Sequence, residues 1–449
     1  MSSIHTLEKW IDSYLNFEKT PKKNIFWLDT LKFFCEKFGH PENFAPCFHV
    51  AGSKGKGSIS KFIASILDEA GFKTGLYTSP HILDFIERVS SASGAFEENV
   101  YAASAKELME GVQSIKAEEL PMERPITWFE LVTLFSFLVF RNAKVDYSVF
   151  EVGLGGRLDS TNVVDSVCAC IGPIELEHTE FLGDTLEKIA AEKGGIIKEN
   201  KPVIIAMQEP CVRAVFEKIA EEKHAEAIFI EDISELRQTT YIFEDTTFKM
   251  QIKFSSKEFK RPIKAKLKML GRFQAENAIL ASIAVKKAIP KITEEQIEKG
   301  LAKTLLPARF EFITPPPQYK NIHSLILDGA HTVKSVTFTM ETLNHIFEKE
   351  EKKRVLLFAC AADKDAKDIA PLFKDSFDFV FLTKPGNTKQ SDVPALTRAF
   401  DAAAVPYNAN EDFEFQIQTA LKKAHDEKAI LLVTGSFYLA AEVKRIMEK

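Results

Sequence analysis

The apolar run Cys47–Ala51 (CFHVA) passes directly into Gly52-Ser53-Lys54-Gly55-Lys56-Gly57-Ser58, after which apolar residues recur at Ile59, Ile63, Ile66 and Leu67. A short apolar stretch, a glycine-rich turn and a helical period read as strand, turn and helix, the unit from which α/β domains are built. GFKTGLYTSPH and VDYSVFEVGLGG supply two further strands, the first ending in Ser79-Pro80 and the second in glycines. The run from Thr239 to Lys268 alternates apolar and polar residues instead, which predicts antiparallel hairpins decorating the sheet, an elaboration and not a domain.

Helical patterns through Ala275–Ala288 and Glu294–Thr304 lead to Pro307 and the turn-rich TPPPQ, which places a domain boundary near 305. Beyond it SLILDGAH, RVLLFACAADKD, FVFLTKP and AILLVTGS read as four strands separated by helical stretches, so a second α/β domain is expected. The predicted domains are 1–304 and 305–449. The charged run His345–Arg354 reads as a solvated helix end.

Phe129–Phe140, the most apolar stretch, falls short of the roughly 18 residues of a membrane span and reads as a buried helix. The first twenty residues carry charges throughout and read as a first helix, not a secretory signal. With 58 basic and 64 acidic side chains the formal net charge is −6, so no global positive field draws the chain to nucleic acid or anionic membrane. Six scattered cysteines without a C-x-x-C pair argue for a reducing, cytoplasmic setting.

In sheets of this kind ligands bind outside the carboxyl ends of the strands. There Ser53, Lys54, Gly55, Lys56, Gly57 and Ser58 form a turn whose backbone N–H groups suit phosphate oxygens, with Lys56 reaching the β- and γ-phosphates. The spacing departs from the common G-x-x-x-x-G-K-[ST] form, because Gly57 separates Lys56 from Ser58. Glu151 ends the apolar strand YSVFE and puts a carboxylate at the same edge.

VAGSKGKGS, TSPH (Thr78–His81) and EVGLGGRLDSTN (Glu151–Asn162) resemble the folylpolyglutamate and dihydrofolate synthases of the Mur-ligase superfamily. The resemblance continues in order through EHTEFLGDTLEKIAAEKGGIIK, GRFQAENAILA, PARFE, LDGAH and TGSFYLAAEV, so it spans both predicted domains. It implies a P-loop nucleotide-binding domain of Mur-ligase type followed by a smaller Rossmann-like glutamate ligase domain. It also implies ATP-dependent amide formation: a folate carboxylate takes the γ-phosphate to give an acyl phosphate, and the amine of L-glutamate displaces phosphate.

By the same resemblance Ser79 and Glu151 bind magnesium, and His178 with a carbamylated Lys193 holds a second magnesium ion, potassium also being used; Ser58 stands where a nucleotide loop places its own magnesium-contacting hydroxyl. Carbamylation converts a cation that would repel a metal into an anionic ligand. Asn277, Arg309, Asp328 and His331 match positions around ATP, Arg309 being placed to meet the phosphates on domain closure. Thr127, Phe129 and Glu130, with Leu158, Asp159 and Ser160, match a pterin pocket. A monomer is implied. Three positions depart from the family pattern: Glu177 for aspartate, Phe273 for histidine and Thr332 for asparagine.

The acceptor is either dihydropteroate or tetrahydrofolate, or both, on this reading. A peptidoglycan-precursor ligase is disfavoured because only about fifty residues precede Gly52, too few for the separate domain such enzymes carry there. Another amide ligase of the superfamily, or a nucleotide-binding regulatory protein without turnover, is the alternative. A nicotinamide dehydrogenase is set aside for want of G-x-G-x-x-G.

Overall fold

The computed structural model describes residues 3–16, 27–245, 247–387 and 390–448. They fall into two compact units, one of Met1–Gln238, Ile252–Lys266 and Gln274–Thr304, the other of Thr239–Gln251, Leu267–Phe273 and Leu305–Lys449.

The first unit holds a seven-stranded sheet: β1 (Cys47–Ala51), β2 (Thr74–Tyr77), β3 (Val89–Ser90), β4 (Tyr147–Glu151), β5 (Cys168–Ile171), β6 (Val203–Ile205) and β7 (Ala227–Phe229). The order is β3-β2-β4-β1-β5-β6-β7, parallel except for β3 against β2. All five residues of β1 are buried, as a strand covered on both faces requires, so its apolar run does not alternate. Val50 pairs with Glu151 on one side and Cys170 on the other, which brings the loops after β1, β4 and β5 together at one edge.

The helix Trp128–Ala143 contains the expected apolar stretch, with Thr127 and Glu130 forming a reciprocal cap at its start. Its buried face packs with Tyr77, Phe85 and Phe150 in the core under β2 and β4. At the N-terminus the helix Ser3–Ile11 buries Leu7 and Ile11 and stops there. Residues 17–20 of the expected first helix lie outside the described residues. Among the described residues no helix is long and apolar enough to cross a membrane.

The alternating segment forms β8 (Ser234–Glu244), β9 (Thr247–Ser256) and β10 (Ile263–Leu267), a sheet of its own in the order β10-β9-β8 and not an addition to the larger one. β10 buries every second residue, the pattern of an antiparallel strand with one wet face. Part of this segment groups with the second unit, where Phe248 meets Phe312 and Phe347 at 5.4 and 5.6 Å between ring centroids.

In the second unit the four expected strands are β12 (Ser324–Leu327), β13 (Arg354–Phe358), β14 (Phe379–Leu382) and β16 (Ile430–Thr434). Two short edge strands, β11 (Glu311–Ile313) and β15 (Asn408–Ala409), complete the order β11-β12-β16-β13-β14-β15, with β11 antiparallel. The charged run His345–Arg354 is the solvated helix end expected, apart from Phe347 and the last residue. The helix Val333–Ile346 ends within it, Phe347 turns into the core, and Arg354 already opens β13.

Candidate active site

The chain leaves β1 at Gly52 and enters the helix Lys56–Glu69 through Gly55, whose φ of 82° suits a residue without Cβ. A Cβ there would also lie 2.5 Å from Asn277 Oδ1, so the glycine lets the helix Arg272–Ala288 bring Asn277 against the turn. No side chain caps the helix Lys56–Glu69, which leaves its first-turn N–H groups without a side-chain acceptor. Ser58 is buried in that first turn, and Ser53 Oγ exchanges hydrogen bonds with the backbone of Glu175, donating to O at 3.1 Å and accepting from N at 3.0 Å.

Three lysines converge on this turn. Lys56 Nζ donates to Gly52 O at 3.0 Å, and Lys193 Nζ donates to the same carbonyl at 3.1 Å and to Glu177 Oε1 at 2.9 Å. Lys54 Nζ stands 3.9 Å from Glu177 Oε2. Burial opposes ionisation of Glu177, yet Lys56, Lys193 and Lys54 outweigh it and hold the carboxyl at about 2. Lys193 is 1% exposed; burial, then repulsion from Lys56, lowers its ammonium to about 8 despite Glu177. Its helix, Leu186–Gly194, is capped by Thr185, and Gly156 packs so closely on it that a Cβ would lie 2.7 Å from Glu192 O and 2.9 Å from Lys193 O. At the position that departs from the family pattern, Glu177 pairs with Lys193.

Glu151 is buried at the end of β4, and its Oε2 accepts from the N–H of Ser79, beside the cis Ser79–Pro80 bond. The turn is built by Glu87, whose carboxylate accepts from the N–H groups of Ile82, Leu83 and Asp84, while Arg88 Nε donates to His81 Nδ1 at 2.8 Å. His178 is exposed with a left-handed φ of 47° at the start of Thr179–Leu182. Among the described residues no three His, Cys, Asp or Glu side chains gather at metal-binding distance. The donors present, a buried carboxylate and hydroxyls beside a phosphate-type turn, do suit a hard cation whose shell the phosphates complete.

Thr127 donates from N and Oγ1 to Glu130 Oε2 at 2.9 and 2.7 Å, and burial raises Glu130 to about 7. Phe129 is brought to Gly153, where a Cβ would meet its ring at 2.5 Å, and the same glycine donates its N–H to Asp159 Oδ2 at 3.0 Å. Leu158 is half-buried and Ser160 buried next to it. Asp159 Oδ2 also accepts from Leu154 N, and Oδ1 from Thr161 N.

The second unit gathers its own group. Asp328 accepts from Phe310 N, Ala330 N and Thr339 Oγ1, so it pins the backbone on both sides of Arg309's segment and β12. The Arg309 guanidinium lies 4.1 Å over the Phe437 ring, and His331, its Nδ1 2.7 Å from Gly329 O, meets that ring edge-on. Thr332 caps the helix Val333–Ile346 through Ser335 N, a task asparagine also performs, and Phe273 stacks on Phe338 at 5.7 Å. Sequence reasoning missed Glu87, Thr161 and Phe437 as site-building residues, although Thr161 lies in EVGLGGRLDSTN and Phe437 in TGSFYLAAEV.

Residues 50–285 match the Mur ligase middle domain and 308–437 the Mur ligase glutamate ligase domain. The chain is 31% identical over 446 residues to the dihydrofolate synthase/folylpolyglutamate synthase of Bacillus subtilis (strain 168), with 97% of each chain covered. Among solved structures, E. coli FolC in complex with DHPP and ADP superposes with a TM-score of 0.78 at 25% identity, covering 100% of this chain and 99% of that one. Mycobacterium tuberculosis folylpolyglutamate synthase, solved with ADP and AMPPCP, gives a TM-score of 0.85 at 24% identity, covering 100% and 98%.

Proposed function

The chain belongs to the dihydrofolate synthase/folylpolyglutamate synthase family of Mur ligases, and from that premise we propose that it joins L-glutamate to a folate carboxylate at the expense of ATP. The observation that carries the reading is the convergence of Lys54, Lys56 and Lys193 on the turn after β1, one strand away from buried Glu151.

The turn and the first-turn N–H groups of Lys56–Glu69 hold the phosphates, Lys56 stabilises charge on the β- and γ-phosphates, and Asn277 borders the nucleotide. Glu151, with Ser79 and Ser58, would hold magnesium, which would neutralise phosphate charge. The folate carboxylate takes the γ-phosphate, and the glutamate amine then displaces phosphate from the acyl phosphate. Phe129, with its neighbours Thr127 and Glu130, and the Leu158–Ser160 segment border the pterin. In the second unit Arg309 is the candidate for charge on the phosphoryl group in transit, with His331 beside it on the Phe437 ring and Asp328 holding the backbone next to it.

His178 and a carbamate on Lys193 would hold a second magnesium ion. The carbamate forms when neutral Nζ attacks the carbon of carbon dioxide and loses a proton, a step favoured by an amine held near 8. It also requires Lys193 to leave its pair with Glu177.

The deciding experiment supplies ATP, magnesium, potassium and labelled glutamate with dihydropteroate in one tube and tetrahydrofolate in another. We expect label in the pterin product; the tube that gains it names the acceptor. No label in either, with ATP bound, sends the assignment to another amide ligase or a non-catalytic nucleotide-binding protein.

A further inference from the structure

His49 sits at the middle of β1 and is wholly buried, a place where a valine would pack without a polar group to satisfy. Its Nε2 lies 2.8 Å from Thr161 Oγ1, across 112 residues of sequence. The hydroxyl proton of Thr161 is committed elsewhere, since it donates to Asp159 Oδ1 at 2.5 Å. The other partners of that carboxylate are the N–H groups of Gly153, Leu154 and Thr161, donors without exception. The hydroxyl oxygen therefore receives its hydrogen bond from His49, which puts a proton on Nε2; complete burial, which holds the imidazole well below its ordinary value, keeps the ring neutral. Nδ1 then needs no acceptor, and it meets no donor among the described residues.

We propose that His49 and Thr161 are positioning residues for the pterin-bearing acceptor: a buried, one-directional chain of donors, His49 to Thr161 to Asp159, that locks the backbone of Gly153 and Leu154. The proposal rests on the function given above. Both residues are completely buried and act through Asp159, which anchors the loop immediately after Glu151 and beside Phe129. Hydroxyl loss at Thr161 frees one carboxylate lone pair and leaves a buried imidazole N–H without an acceptor, so the loop loses its fixed seat while the phosphate turn three residues beyond His49 keeps its own contacts.

The test is Thr161→Val, which keeps the shape and removes the hydroxyl, beside Thr161→Ser, which keeps the hydroxyl. We expect Thr161→Val to raise KM for the pterin acceptor roughly tenfold while KM for ATP stays within about twofold, with Thr161→Ser restoring the acceptor KM. Amide exchange at Gly153 and Leu154 should quicken in Thr161→Val alone. Equal rises in both KM values, or no change in either, overturn the proposal. The nitrogen spectrum of His49 in the unmodified protein supplies a readout without turnover or a variant: a protonated Nε2 and bare Nδ1 support the chain, and a proton on Nδ1 overturns it. Absence of turnover on every pterin acceptor would instead sink the proposed function, and the tautomer with the amide exchange would still decide the chain.

Discussion

Lys56 is held by one hydrogen bond to Gly52 O, within the turn it would share with phosphate. Lys56→Ala removes a charge aimed at the phosphates and no core contact, so turnover should fall about 10²- to 10³-fold with an unchanged melting temperature. Near wild-type turnover would remove Lys56 from the site. Glu151→Gln keeps an oxygen for the Ser79 N–H but loses the charge, so activity should no longer respond to magnesium titration. For Lys193, labelled bicarbonate should give a carbamate carbon signal in protein with nucleotide and magnesium that Lys193→Arg lacks. Its absence from active protein would leave Lys193 as the plain amine that pairs with Glu177.

At the scale of elements, the helix Trp128–Ala143 carries a pH dependence at its cap. Glu130 is raised to about 7 by burial, opposed by its bonds from Thr127, against an ordinary 4.5. A carboxyl whose folded value is raised binds its proton more tightly in the native state, so its stabilising effect is whole below about 4.5 and is lost as pH climbs through 7. Glu130→Gln keeps the cap and does not ionise, so relative to wild type it should gain up to about 3 kcal/mol between pH 4.5 and pH 8, read from urea midpoints. A constant offset across that range would mean that Glu130 titrates normally.

What the sequence discloses of these elements follows from how local their physics is. β1, β4, β12 and β16 announce themselves because predominantly apolar, non-alternating runs leading into Gly, Asp or Glu are typical of a strand buried on both faces and open at its carboxyl end. β11 and β15, of three and two residues, are too short for any period, and the charged stretch after Ile346 is shaped by Phe347 reaching the core. The same division runs through the site. Lys56 and Glu151 stand at strand ends in readable motifs, whereas His49, Thr161 and Glu87 act through partners that only the fold brings close.

Across the whole molecule the chain carries a net charge of −6, and the proposed function singles out two groups among its cations: the three lysines at the turn after β1 in the first unit, and Arg309 in the second. These have different tasks on the proposed mechanism. The lysines meet the phosphates through a turn that is complete within its own unit, so nucleotide affinity should reside there. Arg309, held over Phe437 with its backbone pinned by Asp328, adds charge stabilisation only when the phosphoryl group is in transit. Arg309→Ala should therefore lower kcat by about 10²-fold or more while the ATP dissociation constant moves by less than about threefold, whereas Lys56→Ala should weaken both. Calorimetric titration of ATP beside steady-state kinetics separates the two. Equal losses of affinity and turnover in Arg309→Ala would place the arginine among the ground-state nucleotide contacts, and no loss in either would confine it to packing on Phe437.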